Sequence, residues 1–178
     1  MLVASGIALL GGTGWVAFGL WRAHALWGAL AFTPREALAA DRVLVLKRRG
    51  ELVLTRDGTV IGRYPVALGR VPEGAKQREG DGRTPEGRYV LDWRRLSPVL
   101  GPAIHVSYPS PADRARAARA GVDPGGGIML HALSGDLPWT ATPPRRRGWT
   151  EGCIGLPPRA MRAVWYAIAD GTPIEIRD

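Results

Sequence analysis

Cysteine and lysine are both scarce in this chain, and the scarcity of cysteine excludes several kinds of site. The single thiol, Cys153, cannot form an intramolecular disulfide framework or a multi-cysteine zinc or iron–sulfur site. The chain has 22 arginines but only two lysines, Lys47 and Lys76. Glycine and proline supply 39 of 178 residues, which is turn-rich but below the low-complexity range. With 46% apolar residues, the sequence indicates an ordered domain with a real core.

Charge is absent from residues 2–21, a long apolar run at the N-terminus. Twenty helical residues span about 30 Å, the thickness of a bilayer core. We predict a hydrophobic membrane anchor or signal segment over 1–21, with a buried core helix as a further alternative. Arg22 follows the run, and the positive-inside bias alone would favour a cytoplasmic domain. Residues 22–40 are interpreted as a linker and residues 41–178 as the globular domain.

The net charge of +8 raises the question of a nucleic-acid partner. The arginines are scattered along the chain singly or in pairs, apart from the run Arg145–Arg147. No helix-turn-helix pattern and no interleaving of basic and aromatic residues is evident. The pattern favours a solvated basic surface, attracted to an anionic polymer of the cell envelope, and no nucleic-acid partner.

Apolar residues alternate with polar ones through most of the domain, which is typical of strands. Arg49-Gly50 and Asp57-Gly58 supply turns for an N-terminal meander. Two helices are predicted, each bounded by Pro at its start and Gly after its end. The expected fold is mainly β, a sandwich or small barrel-like sheet pair with one or two packed helices. The predicted strands are 42–48, 51–55, 60–68, 88–92, 104–107, 128–131 and 173–176, and the predicted helices are 111–120 and 157–169.

The residues able to do chemistry lie in two short stretches. His131 ends an apolar strand, and Cys153 follows Gly152 just before a helix. A thiol attacks only as the thiolate, so it needs a base within hydrogen-bond reach, and a neutral imidazole is a suitable one. Gly152 allows close backbone approach, and amides near it are candidates to stabilise an oxyanion. The alternative is that Cys153 is a small buried apolar residue and His131 a structural one.

These stretches, taken in order, resemble L,D-transpeptidase catalytic domains of the YkuD type, which act on bacterial peptidoglycan. The family pattern is a histidine, a spacer, then Ser/Thr-x-Gly-Cys and an aliphatic residue, here His131 followed 19 residues later by the stretch 150–154. The stretch 84–89 (TPEGRY) resembles the family's Thr-Pro-x-Gly-x-aromatic element, and 67–83 resembles a subgroup of short, single-domain members. The resemblance covers about residues 41–178.

The resemblance implies an L,D-transpeptidase-like β-sandwich with Cys153 as nucleophile, His131 as proton donor and acceptor, and no metal or organic cofactor. Gly152 and Thr150 would support the backbone around the oxyanion. Three positions depart from the family pattern: Ala132 stands where Gly is usual, Glu151 where many members have His, and Gly155 where many have Arg. Since Arg can bind a carboxylate bidentately, its loss bears on substrate recognition. Candidate substitutes for that arginine are Arg159 and the arginines of 145–147.

A few further residues are weaker candidates for binding substrate or metal. Tyr108 and Arg83 are candidate substrate contacts, with a core aromatic at a strand end and a turn-stabilising ion pair between Asp81 and Arg83 as the plainer alternatives. A zinc site built from His105, His131 and Cys153 has no supporting ligand spacing.

The implied function is a peptidoglycan L,D-transpeptidase that forms a cysteine thioester with stem peptides, cross-linking the wall or tethering protein to it. A peptide hydrolase or amidase using the same Cys–His pair, and a non-catalytic envelope-binding module, are the alternatives. Expected partners are stem peptides, an envelope protein as acyl acceptor or substrate, and a membrane through residues 2–21. The expected location is the cell envelope, periplasmic or extracytoplasmic, with the protein membrane-anchored or secreted.

Overall fold

A computed structural model describes residues 39–97, 101–132 and 150–178. The predicted segment 1–21 and all but the last two residues of the predicted linker lie outside these ranges. Neither helix within them is long and apolar enough to cross a membrane. The elements, in chain order, are β1 (Arg42–Leu46), β2 (Glu51–Arg56), β3 (Thr59–Pro65), β4 (Gly87–Ser97), β5 (Gly101–Val106), α1 (Pro111–Arg119), β6 (Met129–Ala132), β7 (Ile154–Leu156), α2 (Pro158–Ala167) and β8 (Thr172–Arg177).

The predicted meander is confirmed, since β1, β2 and β3 are paired antiparallel in sequence order. Gly50, Asp57 and Gly58 have φ of 61°, 50° and 75°. Positive φ is the conformation that tight hairpin turns require, and Gly and Asp adopt it more readily than most residues. Both predicted helices are also confirmed. Helix α1 begins with a capping box between Ser110 and Asp113.

The described strands form one eight-stranded sheet, in the order β3-β2-β1-β8-β4-β5-β6-β7, rather than the predicted pair of sheets. The pairs β1–β8 and β6–β7 are parallel and the other pairs are antiparallel. The three residues of β7 were not predicted as a strand, because so short a run shows no periodicity.

The two edges of this sheet are joined by the chain itself. Strand β3 lies at one edge and ends at Pro65, while Ala67 exchanges two backbone hydrogen bonds with Gly155 of β7, at the other edge. Two residues span at most about 7 Å, so the edges must approach each other. The sheet therefore curls around one hydrophobic core, as in the barrel-like alternative.

Helix α2 packs on β5 and β6, with Met161 and Val164 fully buried. Its C-terminal end is held by Arg94, whose guanidinium donates to the carbonyls of Trp165 and Ile168 at 2.8 and 2.6 Å. These are among the carbonyls that a helix end leaves without partners. The helix that follows the Cys153 stretch is thereby fixed to β4.

Strand β4 runs five residues beyond its predicted end. Its register against β5 shifts between Leu91 and Arg94, which is a β-bulge. Asp92 and Trp93 consequently both lie on the face of the sheet that points away from the core, which we call the outer face. The extra residue breaks the alternation of the sequence pattern, so the pattern appeared to stop at Asp92.

Lys47 lies at the end of β1, and its ammonium group is completely buried. It donates to the carbonyls of Gly74 and Thr84 at 2.6 and 3.1 Å and to the carboxylate of Glu86 at 2.7 Å. Three acceptors match the three N–H donors of an ammonium group. Lys47 thus ties the irregular stretch 66–86 to the sheet.

We expect Lys47→Arg to destabilise the domain by about 2 kcal/mol, because a longer planar guanidinium cannot replace a compact ammonium inside three fixed acceptors. Arg48→Lys is the matched control, since its side chain is exposed and, within the described part of the chain, is bonded only to Asp178. Both variants conserve net charge. Urea unfolding should show a lower midpoint for the first and an unchanged midpoint for the second; equal midpoints would contradict the role of Lys47.

Candidate active site

Cys153 lies at the end of a turn that Thr150 closes. The Thr150 hydroxyl donates to the Cys153 carbonyl at 2.8 Å and accepts from the Gly152 N–H at 3.1 Å. The Thr150 carbonyl accepts from the Arg70 N–H at 2.9 Å. A short side chain with one donor and two acceptor lone pairs can make two hydrogen bonds of this kind to its own turn. Thr150 therefore supports the backbone on which Cys153 is carried.

Gly152 is required by its surroundings as well as by its conformation. Its φ is 137°, and a Cβ placed on it would lie 2.6 Å from the Arg83 carbonyl oxygen. Gly69 is equally close to the chain: a Cβ there would lie 2.2 Å from the Gly82 carbonyl oxygen. The Gly69 N–H also donates to the buried Thr84 hydroxyl at 2.9 Å. The stretch 66–86 is thus packed directly against the turn that carries Cys153.

His131 lies on β6, beside β7, and is 4% exposed. Its Nδ1 is 2.9 Å from the carbonyl oxygen of Ala132. A carbonyl only accepts, so Nδ1 carries the proton in the neutral ring and Nε2 is left as the acceptor.

The pairing of β6 with β7 places His131 and Cys153 on the same face of the sheet. His131 is opposite Gly155, and Leu130 is opposite Ile154 in the parallel ladder. Side chains alternate along a strand, so Leu130 and Ile154 enter the core while His131, Gly155 and Cys153 lie on the outer face. Strand geometry sets the backbones of His131 and Cys153 about 8 Å apart.

The Cys153 thiol is partly enclosed by backbone. Its Sγ is 3.7 Å from the Gly127 carbonyl oxygen. Burial raises the pKa of the thiol, and a hydrogen bond from the Met129 backbone and the charge of Lys76 lower it by less. The net direction is upward, so at neutral pH the isolated thiol stays protonated and is a poor nucleophile.

Lys76 and Asp81 organise the loop beside the thiol. The Lys76 ammonium, 3% exposed, donates to the Arg78 carbonyl and to Asp81 at 3.1 and 3.0 Å. Asp81 also accepts the backbone N–H groups of Gln77, Arg78 and Arg83. Despite its partial burial, these bonds lower the pKa of Asp81 to about 2. The predicted Asp81–Arg83 pair is therefore a bond to the Arg83 backbone, and the ion pair is with Lys76.

The other predicted site residues lie in varied positions. Tyr108 is 2% exposed, and its hydroxyl donates to the Pro124 carbonyl at 2.9 Å, so it is a core residue, as the plainer alternative held. Arg83 is half-buried, with its carbonyl against Gly152. Arg159 is exposed, and the run 145–147 lies outside the described residues. Among the residues that the structure describes, no three His, Cys, Asp or Glu side chains group as metal ligands would.

This arrangement lies within residues 40–176, which match the family model of the YkuD-type L,D-transpeptidase catalytic domain. The chain belongs to this L,D-transpeptidase family. The resemblance inferred from the motifs of the sequence is thereby confirmed.

Solved structures share the fold of this L,D-transpeptidase domain. Bd1075 of Bdellovibrio bacteriovorus is 30% identical, with a TM-score of 0.57 over 80% of this chain and 49% of its own. The helical cell shape determining protein Pgp2 of Campylobacter jejuni is 23% identical, with a TM-score of 0.59 over 78% and 48%. An L,D-transpeptidase of Mycobacterium smegmatis is 17% identical, with a TM-score of 0.51 over 78% and 59%. The chain spans about half the length of the first two. No curated protein matches it.

The three departures from the family pattern have clear structural settings. Ala132 is an ordinary strand residue opposite Leu156, so no left-handed backbone is needed there. Glu151 is exposed and pairs with Arg70 at 2.9 Å. Gly155 is buried beside His131, and an arginine at this position would begin on the same face as the imidazole.

Sequence reasoning missed two contributors to this site, Lys76 and the Gly127 carbonyl. The carbonyl has no side-chain signal. The rarity of lysine in a chain rich in arginine is a signal in the sequence. In the structure both lysines are buried, at 4% and 3% exposure. Each ammonium donates to acceptors that surround it at short range.

We expect Gly152→Ala to lower both stability and thiol reactivity, because a Cβ must push the Cys153 turn away from the Arg83 carbonyl. Gly126→Ala is the control, since a Cβ there would meet nothing closer than 3.9 Å. Thermal unfolding and the rate of thiol alkylation check this. Native behaviour of the Gly152 variant would show that the contact with Arg83 is not needed.

Proposed function

We propose that this domain is a peptidoglycan L,D-transpeptidase in which Cys153 is the nucleophile and His131 the base. The observation that carries the proposal is that β6, which contains His131, pairs directly with β7, which Cys153 immediately precedes, so that both side chains are expected on one face of the sheet. The family to which the chain belongs acts on peptidoglycan peptides. The carbonyl donor would be a stem-peptide amide with a D-centre on its amine side.

In the proposed reaction, Nε2 of His131 takes the thiol proton as Cys153 attacks the amide carbonyl. The tetrahedral oxyanion needs backbone donors, and the Gly152 N–H is already bonded to Thr150, so we assign the Cys153 N–H to it. The protonated imidazole then gives its proton to the leaving amine. The resulting thioester passes to an acceptor amine, which releases the thiol.

Water in place of the acceptor amine would make the same site a peptide hydrolase or amidase. An amine of an envelope protein as acceptor would tether that protein to the wall. A non-catalytic envelope-binding module remains the alternative from another class, and it requires a Cys153 that never becomes acylated.

We propose the cell envelope as the place of action, because the family's substrate lies outside the cytoplasmic membrane. Export through the apolar segment 2–21, as an anchor or a cleaved signal, is part of this proposal. Similarity in fold to a protein that determines helical cell shape supports a role in wall architecture.

Mass spectrometry of the protein incubated with disaccharide tetrapeptides should show one covalent adduct on Cys153. Adding an acceptor amine should convert the adduct to a cross-linked product, whereas water alone should yield the free acid if the enzyme is a hydrolase. Cys153→Ala should lose the adduct and retain its unfolding midpoint, because removing one sulfur leaves only a small cavity. Turnover by that variant would exclude the thioester mechanism.

The pH dependence of alkylation tests the role of His131. Because burial raises the thiol pKa, His131→Ala should react with iodoacetamide only above the ordinary thiol pKa of about 8.5. The native protein, with a base beside the thiol, should already react near pH 7. Turnover by the variant should fall by about 10²- to 10⁴-fold. The urea-unfolded chain is the control for an unperturbed thiol, and identical profiles for native protein and variant would assign the base elsewhere.

A further inference from the structure

The outer face of the sheet continues from Cys153 into an aromatic surface on β5 and β4. Met129 follows Cys153 across the β7–β6 pair, as the hydrogen bond from its backbone to the thiol also indicates. His105 is opposite Met129 in the β6–β5 pair. Neighbouring strands are about 4.8 Å apart, so His105 lies about 10 Å from Cys153.

Trp93 stacks on His105 at this end of the row. The two ring centroids are 4.7 Å apart and the planes differ by 11°. His105 Nδ1 is 2.7 Å from the carboxylate of Asp92, and the guanidinium of Arg95 lies 5.8 Å from the centre of the Trp93 ring. The bulge of β4 places Asp92 and Trp93 side by side, which regular alternation would not allow.

Within this surface, the Trp93 ring is exposed and held in place. Trp93 is 41% exposed, although an indole is among the side chains that gain most from burial. Its ring is held by a stacked imidazole that is itself hydrogen-bonded, so little conformational entropy remains to be lost on binding. His105 covers one face of the indole, so it is the remainder of the ring that is exposed. With the Asp92 carboxylate and the Arg95 guanidinium close by, this remainder offers an apolar surface beside hydrogen-bonding groups.

That combination suits a sugar ring. The C–H groups of a pyranose carry partial positive charge and attract the electron-rich face of an indole, and the border groups match hydroxyls and acetamides. Three extended peptide residues span about 10 Å, the separation of His105 from Cys153. A sugar joined to a stem peptide would therefore reach this surface while the peptide lies at the thiol.

We propose that Trp93, His105, Asp92 and Arg95 form a saccharide subsite for the amino-sugar strand that carries the stem peptide. This inference rests on the proposed function for its physiological ligand, and it assigns the sheet face beside the thiol to substrate recognition. The subsite selects glycan-linked stem peptides over free ones.

The first test measures binding without chemistry. The native protein should bind a soluble tetramer of β-1,4-linked N-acetylglucosamine, followed by the indole N–H signal of Trp93. Trp93→Ala should weaken binding by about tenfold or more, and Trp93→Phe should retain part of it, because a smaller ring still stacks. Tyr166→Ala, which removes another exposed aromatic ring, on α2, is the matched control. No binding by the native protein, or equal loss in both alanine variants, would overturn the subsite.

The second test compares acylation by a disaccharide tetrapeptide and by the free tetrapeptide. Trp93→Ala should raise KM about tenfold for the first substrate only, with kcat unchanged for both. An equal effect on both substrates, or a lowered unfolding midpoint without any change in KM, would reduce Trp93 to a structural residue. If the native protein acylates with neither substrate yet binds the tetramer through Trp93, the proposed reaction fails and the saccharide subsite stands.

Discussion

Two buried ammonium groups fix the stretch 66–86, against which the Cys153 turn packs. Most of the stretch 66–86 has no regular hydrogen-bonded ladder, yet it supplies the Arg83 carbonyl that packs against Gly152 in the Cys153 turn. Lys47 binds this stretch to β1, and Lys76 closes its tip on Asp81. A buried charge is tolerated only when its donors are satisfied, which makes such contacts all-or-none. The loop consequently has one well-defined arrangement instead of many.

The curled sheet gives the three-residue strand β7 the neighbours it needs. A strand that short contributes little on its own, but Gly155 is bonded to Ala67 on one side while β6 pairs with β7 on the other. Cys153 is therefore carried by an element held on both sides, although β7 is formally an edge strand. The proposed reaction requires this kind of support, because small displacements of a nucleophile lower rates strongly.

Most of the meander and both helices could be predicted from sequence, because turn glycines, prolines before helices and strict alternation are local signals. The single closed sheet could not, since the return of 66–69 to β7 is a long-range contact. The β4 bulge was missed because it breaks the period by one residue. Tyr108 illustrates a different limit: an aromatic at a strand end looks the same in sequence whether it packs inward or lines a cleft. The sequence shows that lysine is rare beside arginine, but this composition alone does not predict that Lys47 and Lys76 are buried.

The charges around the Cys153 thiol depend in part on the glycine at position 155, which brings no cationic side chain. With glycine opposite His131, no guanidinium begins beside the imidazole, and the cation that lowers the Cys153 pKa is the buried Lys76. Lys76 is paired with Asp81, so its field is largely compensated, and burial prevails in raising the thiol pKa. A thiol in that setting is a poor nucleophile until a base removes its proton. In the neutral ring of His131, the hydrogen bond from Nδ1 to the Ala132 carbonyl leaves Nε2 as the proton acceptor that the proposed base needs. In the proposed reaction, burial of the thiol thus makes its deprotonation depend on the neighbouring histidine.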